Sequence, residues 1–137
     1  MTEALLLDTC AMLWLGQSTR LAPKVERTLE RARAAGQLFV SPFSAWEIGT
    51  LVRRQRVILS SPSEQWFEDF LARSRAGLTP LTPAILIAST SLPESVHGDP
   101  ADRIIIATAR ALDLAVVTRD RLILDYARQG HLRALAC

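Results

Sequence analysis

Short apolar runs alternate with longer amphipathic stretches along this chain, and the two kinds of segment predict different elements. Leu5–Leu7, Leu38–Val40 and Ala115–Thr118 are too short for helices and are typical of buried strands. Weaker patterns predict a short strand at 78–81 and an edge strand at 132–135. Because the strands alternate with helices, the pattern predicts a three-layer α/β/α sandwich around a central, mostly parallel sheet.

Proline and glycine mark where several predicted helices begin and end. Pro23 begins a helix whose apolar stripe is Val25, Leu29 and Ala32, and Gly36 closes it. Further helices are predicted at 9–16, 41–54, 61–77, from 83, at 101–113 and at 121–128. The chain of 137 residues has no linker-like or low-complexity stretch, so residues 1–137 are predicted to form a single domain.

The composition and charge bear on the location of the protein more than on its activity. The net charge of +2 is too small to indicate nucleic-acid binding by itself. No apolar run approaches the ~20 residues that span a bilayer, and the N-terminus lacks a basic stretch followed by a long apolar one. Cys10 and Cys137 form neither a disulfide framework nor a metal-type spacing. We therefore expect a cytoplasmic protein without membrane association.

Four acidic residues are expected at one edge of the sheet. Asp8 ends the first strand, Asp120 lies just past the Ala115–Thr118 strand, Asp102 lies in the first turn of its helix, and Glu47 lies one to two turns into the helix after the second strand. In a parallel sheet each helix begins beyond the carboxyl end of the preceding strand, and open α/β folds bind ligands at that edge. The four carboxylates can therefore converge.

Three of these acids also have a purely structural interpretation. In the segment 99–102, Asp99 fits a helix N-cap, proline follows at the first helical position, and Asp102 stabilises the first turn. Asp8 and Asp120 each precede a helix that they would cap equally well. Taken singly, each of these residues is explained by capping.

Glu47 lies too deep in its helix to cap it. It borders an apolar stripe, so its carboxylate needs a partner, which the sequence leaves open as an arginine, a hydroxyl or a metal ion. The stripe is predicted to comprise Ala45, Ile48 and Val52.

Taken together, the four acids indicate a hard metal ion. Clustered carboxylates repel one another unless cations neutralise them, and an all-oxygen set suits Mg²⁺ or Mn²⁺. His97 and His131 are single, and the chain has no G-x-S-x-G elbow, P-loop or Cys–His signature. A cation at strand ends that face helix N-termini favours metal-assisted hydrolysis of a phosphate ester.

At these residues the chain resembles the PIN-domain family over its whole length. The matching segments are Leu-Leu-Leu-Asp-Thr at 5–9, Ser-Ala-Trp-Glu-Ile at 44–48, Asp-Pro-Ala-Asp-Arg-Ile-Ile-Ile-Ala-Thr-Ala at 99–109 and Val-Val-Thr-Arg-Asp at 116–120. The resemblance implies that Asp8, Glu47, Asp102 and Asp120 are the catalytic, metal-binding residues. It implies supporting or substrate-facing roles for Thr9, Asp99, Arg103 and Thr118, and for His97.

The variant of the third segment is similar to that of VapC-type ribonuclease toxins. That resemblance implies cleavage of single-stranded or structured RNA by metal-activated water, a 5′-phosphate and 3′-hydroxyl product, a homodimer, and a cognate antitoxin that covers the site. An apolar groove for the antitoxin is predicted on the first and third helices, with core packing as the alternative. Its expected members are Leu13, Trp14, Trp46 and Val52.

Other functions remain open at this stage. One is a PIN-like scaffold that binds a partner without catalysis, although such a scaffold would be expected to lose acids. Another is a PIN nuclease outside any toxin–antitoxin pair. Phosphatases with an aspartyl nucleophile would need a second Asp two residues after Asp8, where this chain has Cys10.

Overall fold

The computed structural model describes residues 2–94 and 98–137, and in them helices and strands alternate as the pattern predicts. The strands are β1 (Leu5–Leu7), β2 (Leu38–Val40), β3 (Gly77–Leu78), β4 (Ala115–Thr118) and β5 (Arg133–Ala136). The helices are α1 (Thr9–Gly16), α2 (Pro23–Ala34), α3 (Phe43–Arg53), α4 (Ser63–Ser74), α5 (Pro83–Ala88), α6 (Pro100–Leu112) and α7 (Arg121–Arg128). None of these helices is both long and apolar enough to cross a membrane.

The five strands form one sheet in the order β3-β2-β1-β4-β5. Each of the four neighbouring pairs is parallel, so the described sheet is parallel throughout. β1 lies at the centre, and its last residue, Leu7, is aligned with Val40 on one side and Val117 on the other. The carboxyl ends of β1, β2 and β4 therefore meet at one edge, where α1 and α3 begin.

Alternation along the central strands builds two cores, one on each face of the sheet. Leu5 and Leu7 pack with side chains of α1 to α4, and Leu6 packs with side chains of α6 and α7. The predicted stripe of α2 lies on the first of these cores. Helices thus cover both faces, which confirms the three-layer α/β/α sandwich.

Several predicted boundaries were wrong, and helices predicted to start at 41 and 61 begin at Phe43 and Ser63. β3 covers Gly77–Leu78 rather than 78–81, because Pro80 has no backbone N–H with which to extend the ladder. The helix expected to reach Gly77 ends at Ser74, where Arg75 adopts the left-handed conformation (φ 58°). β5 is displaced by one residue from 132–135 to Arg133–Ala136.

Candidate active site

Asp8 joins the end of β1 to the end of β4. Its Oδ1 accepts a hydrogen bond from the backbone N–H of Ala11 at 2.8 Å, which caps α1. Its Oδ2 accepts a hydrogen bond from Thr118 Oγ1. The Asp8 side chain is almost completely buried. Burial raises the pKa of Asp8, the two hydrogen bonds oppose that rise, and the negative charge of Asp120 adds to it.

Asp120 is held close to Asp8 by the same threonine. Its backbone N–H donates to Thr118 Oγ1 at 2.9 Å, so the Thr118 hydroxyl accepts from Asp120 while it donates to Asp8. Asp120 Oδ1 in turn accepts from the N–H of Ile123 at 3.1 Å and caps α7. The half-buried Asp120 is thereby fixed where β4 passes into α7.

Glu47 approaches the edge from α3. Its Oε1 accepts a hydrogen bond from Thr9 Oγ1 on α1, and the Thr9 hydroxyl is also 2.9 Å from Ser44 Oγ. Of the three partners that the sequence left open, a hydroxyl is therefore present. Burial raises the pKa of Glu47, and the negative charges of Asp99 and Asp8 raise it further.

The apolar stripe of α3 differs from the prediction at one position. Ala45 is exposed, whereas Ser44 and Ile48 form the buried face and Val52 is half-buried. Ser44 was missed as a member of the site, although its spacing of three residues from Glu47 puts both on one face of the helix.

Asp102 lies in the first turn of α6, within electrostatic range of the other acids. Asp99 Oδ1 accepts from the Asp102 N–H at 3.0 Å and caps this helix, as its position predicts. Burial and the negative charges of Asp99, Asp120, Glu47 and Asp8 raise the pKa of Asp102 to about 7. The charges of the three other acids that the sequence singled out therefore all act on Asp102.

Helix capping and a common location at the sheet edge are compatible interpretations of these acids. Asp8, Asp99 and Asp120 each cap a helix with one carboxylate oxygen. Helix N-termini at the carboxyl edge of a parallel sheet point toward the same place, so residues that cap them are gathered there.

The other predicted site residues differ in burial and in hydrogen bonding. Thr9 and Thr118 are buried and hydrogen-bonded to acids, while Asp99 is exposed. Arg103 is half-buried and makes no side-chain hydrogen bond or ion pair with the residues that the structure describes. His97 lies outside the described residues.

The acidic cluster has the donor chemistry of a hard-cation site. In the described chain, no Lys or Arg forms an ion pair with Asp8, Glu47, Asp102 or Asp120. Nor do any three His, Cys, Asp or Glu side chains of residues 2–94 and 98–137 stand close enough together to hold an ion. These four carboxylates would hold a metal ion only after turning toward one another, and three of them, Glu47, Asp102 and Asp120, are partly exposed.

Cys10, for which the sequence predicts no disulfide or metal role, follows Thr9 on α1. Its side chain remains partly exposed, and burial of the rest raises the thiol pKa to about 11, together with the charges of Asp8, Glu47, Asp102 and Asp120. All four acids thus act on one side chain in the first turn of α1.

Comparison with known proteins identifies the family. The family model of the PIN domain matches residues 5–129. The chain belongs to the PIN-domain family. It is 32% identical over 121 residues to ribonuclease VapC22 of Mycobacterium tuberculosis, and the match covers 88% of this chain and 89% of that protein.

Solved structures agree with the PIN fold. The crystal structure of VapBC2 from Rickettsia felis, bound to a promoter DNA fragment, contains a chain that matches with a TM-score of 0.72, 15% identity and 98% coverage of both chains. FitAcB from Neisseria gonorrhoeae matches with a TM-score of 0.54, 20% identity and 96% coverage of both chains. At these identities the likeness shows that the PIN fold extends over nearly the whole chain.

Proposed function

We propose that this PIN-domain protein is a metal-dependent endoribonuclease that acts as the toxin of a toxin–antitoxin pair. The observation that carries the proposal is that four carboxylates lie at the ligand-binding edge of the sheet, near enough for their charges to act on Asp102, and that none is paired with a basic residue in the described chain. The name of the 32% identical relative supports RNA as the substrate. We propose Mg²⁺, with Mn²⁺ as an alternative, because the donors are all oxygens.

The proposed reaction is hydrolysis of a phosphodiester by water. The water oxygen bonds to phosphorus and the bond from phosphorus to the 3′ oxygen breaks, which leaves a 5′-phosphate and a 3′-hydroxyl. When bound, the divalent ion lowers the pKa of water and neutralises charge on the phosphate. Thr118 and the N–H of Ala11 orient Asp8, and the N–H of Ile123 orients Asp120. Thr9 orients Glu47, so three of the four proposed ligands are positioned by hydrogen bonds.

An antitoxin is the proposed protein partner, because the matching solved structures are named as VapBC and FitAB assemblies. Leu13 is buried and cannot line the groove predicted for it, while Trp14 and Val52 are half-buried. Trp46 is 61% exposed and remains a candidate contact. A cleft of about 550 Å³ between α1, α2 and α4, lined by apolar residues such as Leu29 and by charged ones such as Arg33 and Asp69, offers a second surface of mixed character.

The nuclease proposal is tested with purified protein and single-stranded RNA. Cleavage should require Mg²⁺ or Mn²⁺ and stop in excess EDTA, and zinc should substitute poorly at a site of oxygen donors. The Asp102→Asn protein, purified in parallel, controls for contaminating nucleases. Cleavage that persists in excess chelator would refute the mechanism, and metal binding without cleavage would favour the non-catalytic scaffold.

The toxin proposal needs a separate experiment in cells. Expression of the chain should arrest growth, and co-expression of a small protein encoded immediately upstream should restore it and co-purify with the chain. Arrest should disappear with Asp102→Asn. An active RNase with no effect on growth would instead indicate a PIN nuclease outside any toxin–antitoxin pair. We also expect a homodimer in a cytoplasmic setting, and light scattering of the purified protein measures its mass.

A further inference from the structure

An aromatic and a guanidinium group form an ordered pair beside the acidic edge. The guanidinium carbon of Arg119 lies 4.1 Å from the centroid of the Trp14 ring. Arg119 Nε also donates to the carbonyl oxygen of Cys137 at 2.7 Å, and the Cys137 N–H donates to the carbonyl oxygen of Thr118 at 3.1 Å. Arg119 is nevertheless exposed, so a solvent-facing side chain is tethered at two points.

Both members of this pair lie near the residues of the candidate site along the chain. Arg119 lies between Thr118, which donates to Asp8, and Asp120. Trp14 lies on α1 one turn after Cys10, the residue that all four acids influence. From Asp8 to Trp14 the helix rises by about 9 Å at 1.5 Å per residue. A nucleotide next to a phosphate bound at the acids can extend over that distance.

We propose that Trp14 and Arg119 form a stacking subsite for one nucleobase of a single-stranded RNA, next to the scissile phosphate. The inference rests on the proposed function, which it deepens by naming where the substrate is held. Proteins bind single-stranded RNA by stacking unpaired bases on aromatic rings and arginine planes beside a basic path for the backbone. Arg119 supplies positive charge next to an acidic centre that would otherwise repel RNA.

An exposed aromatic side chain can also bind a protein segment. The positive charge of Arg119 argues against a protein ligand at this pair. Trp14 is half-buried and packs against the core, so it offers a flat partial face rather than a protruding anchor. Arg119 lies over that face, so a base would meet the guanidinium group backed by the ring, which suits a base and its phosphate better than an apolar helix. Trp46, which is more exposed, has no such cation over its ring among the described residues.

The test compares two RNA-like probes on the Asp102→Asn background, where cleavage cannot interfere. One probe is an oligouridylate of about ten nucleotides, within the usual site size, and the other is an abasic ribose-phosphate chain of the same length. Trp14→Leu keeps apolar bulk against the core but removes the ring, and Trp14→Phe keeps a ring. Arg119→Gln is matched by Arg121→Gln, which removes the same charge two residues away.

We expect Trp14→Leu to weaken binding of the oligouridylate by about five-fold or more, and Trp14→Phe by less than about two-fold. Neither change should affect the abasic chain, whereas a mere loss of folding would weaken both probes alike. Arg119→Gln should weaken binding of the oligouridylate more than Arg121→Gln does. Equal binding of the oligouridylate by Trp14→Leu and Trp14→Phe would overturn the subsite. So would a Trp14→Leu variant that binds both probes normally but no longer binds the antitoxin.

The same measurements separate this inference from the proposed function. If the parent protein cleaves RNA with Mg²⁺ but Trp14→Leu binds both probes like its Trp14→Phe control, the nuclease stands and the subsite is wrong. If the parent cleaves no RNA yet the stacking pattern is found, the protein binds RNA at Trp14 and the catalytic proposal fails.

Discussion

Thr118 and Asp8 are 110 residues apart in sequence, yet the hydroxyl of Thr118 donates to Oδ2 of Asp8. The parallel pairing of β1 with β4 makes this possible, because it aligns Leu7 with Val117 and so brings the next residue of each strand together. The Thr118 hydroxyl also accepts from the N–H of Asp120, and it is completely buried. One buried hydroxyl therefore sets the positions of two of the four acids.

Thr118→Val should impair both stability and cleavage. The substitution keeps the shape but leaves Asp8 and the Asp120 N–H without their partner, which typically costs about 1–3 kcal/mol. Thr108→Val is a matched control, because Thr108 is equally buried on α6 but its hydroxyl donates only to the Ile104 carbonyl within that helix. Denaturant unfolding and RNase assays of both variants check this. If Thr118→Val cleaves RNA as fast as Thr108→Val, Thr118 does not support the site.

Asp8→Asn and Asp120→Asn should abolish cleavage without unfolding the protein. Asn caps a helix about as well as Asp but is a neutral and poorer metal ligand. One repulsive charge is also removed, so the stability of the metal-free protein should be unchanged or slightly higher. Asp125 forms an exposed ion pair with Arg128 on α7, and Asp125→Asn therefore controls for the loss of a carboxylate outside the site. Full RNase activity in both site variants would contradict the assignment of these acids to the active site.

The raised pKa of Asp102 predicts how the metal-free protein responds to pH. The pKa is about 7 in the folded chain against 3.8 for the free group, so the folded state binds more protons between these values. Stability should therefore fall as pH rises from about 4 to 7. Because the group is partly exposed, we expect a loss of the order of 1–2 kcal/mol, or about 3–6 °C in Tm.

Thermal unfolding in EDTA at a series of pH values measures this effect. Asp102→Asn should flatten the profile and raise Tm at pH 8 relative to the parent. Mg²⁺ should stabilise the parent at pH 8 by binding the folded state, and should stabilise Asp102→Asn less. A parent whose metal-free Tm rises steadily from pH 4 to pH 7 would contradict the charge repulsion that we infer.

The extent to which the sequence predicts this protein differs between its fold and its site. Strand positions such as Leu5–Leu7 follow from apolar runs, and the four acids follow from where strands end. The bond between Thr9 and Glu47 and the contact between Trp14 and Arg119 could not be predicted, because they depend on how α1 packs against α3 and β4. The hydrophobic periodicity of a helix shows which of its faces is buried, but it does not show which residues of other elements that face contacts.

Gly16 illustrates such a packing constraint. A Cβ placed on it would lie 2.3 Å from Cζ2 of Trp66, a buried ring that stacks on Phe70. Gly16→Ala should therefore destabilise the fold by about 1–3 kcal/mol through overpacking. Gly49→Ala is the matched control within α3, because a Cβ at Gly49 meets nothing within 4 Å in the described chain. This substitution should raise the free energy of unfolding by up to about 1 kcal/mol, since Ala has the higher helix propensity. Denaturant unfolding measures both, and stabilisation by Gly16→Ala would mean that α1 and α4 are less closely packed.

Trp46 is the residue from which we expect the strongest effect on the antitoxin. It is 61% exposed beside Glu47, and its ring stacks on Phe43 at 5.2 Å between centroids, so it is held as a rigid apolar surface near the acids. Trp46→Ala should cost little folding stability, because the ring is already in water, but should weaken the complex with the co-expressed small protein by about ten-fold or more. Ile58→Ala removes an even more exposed apolar side chain and should change neither property. Calorimetric titration of the antitoxin into each variant measures the affinities. If Trp46→Ala binds the antitoxin as tightly as Ile58→Ala does, the antitoxin docks elsewhere, and the cleft beneath Trp66 and Phe70 becomes the surface to mutate next.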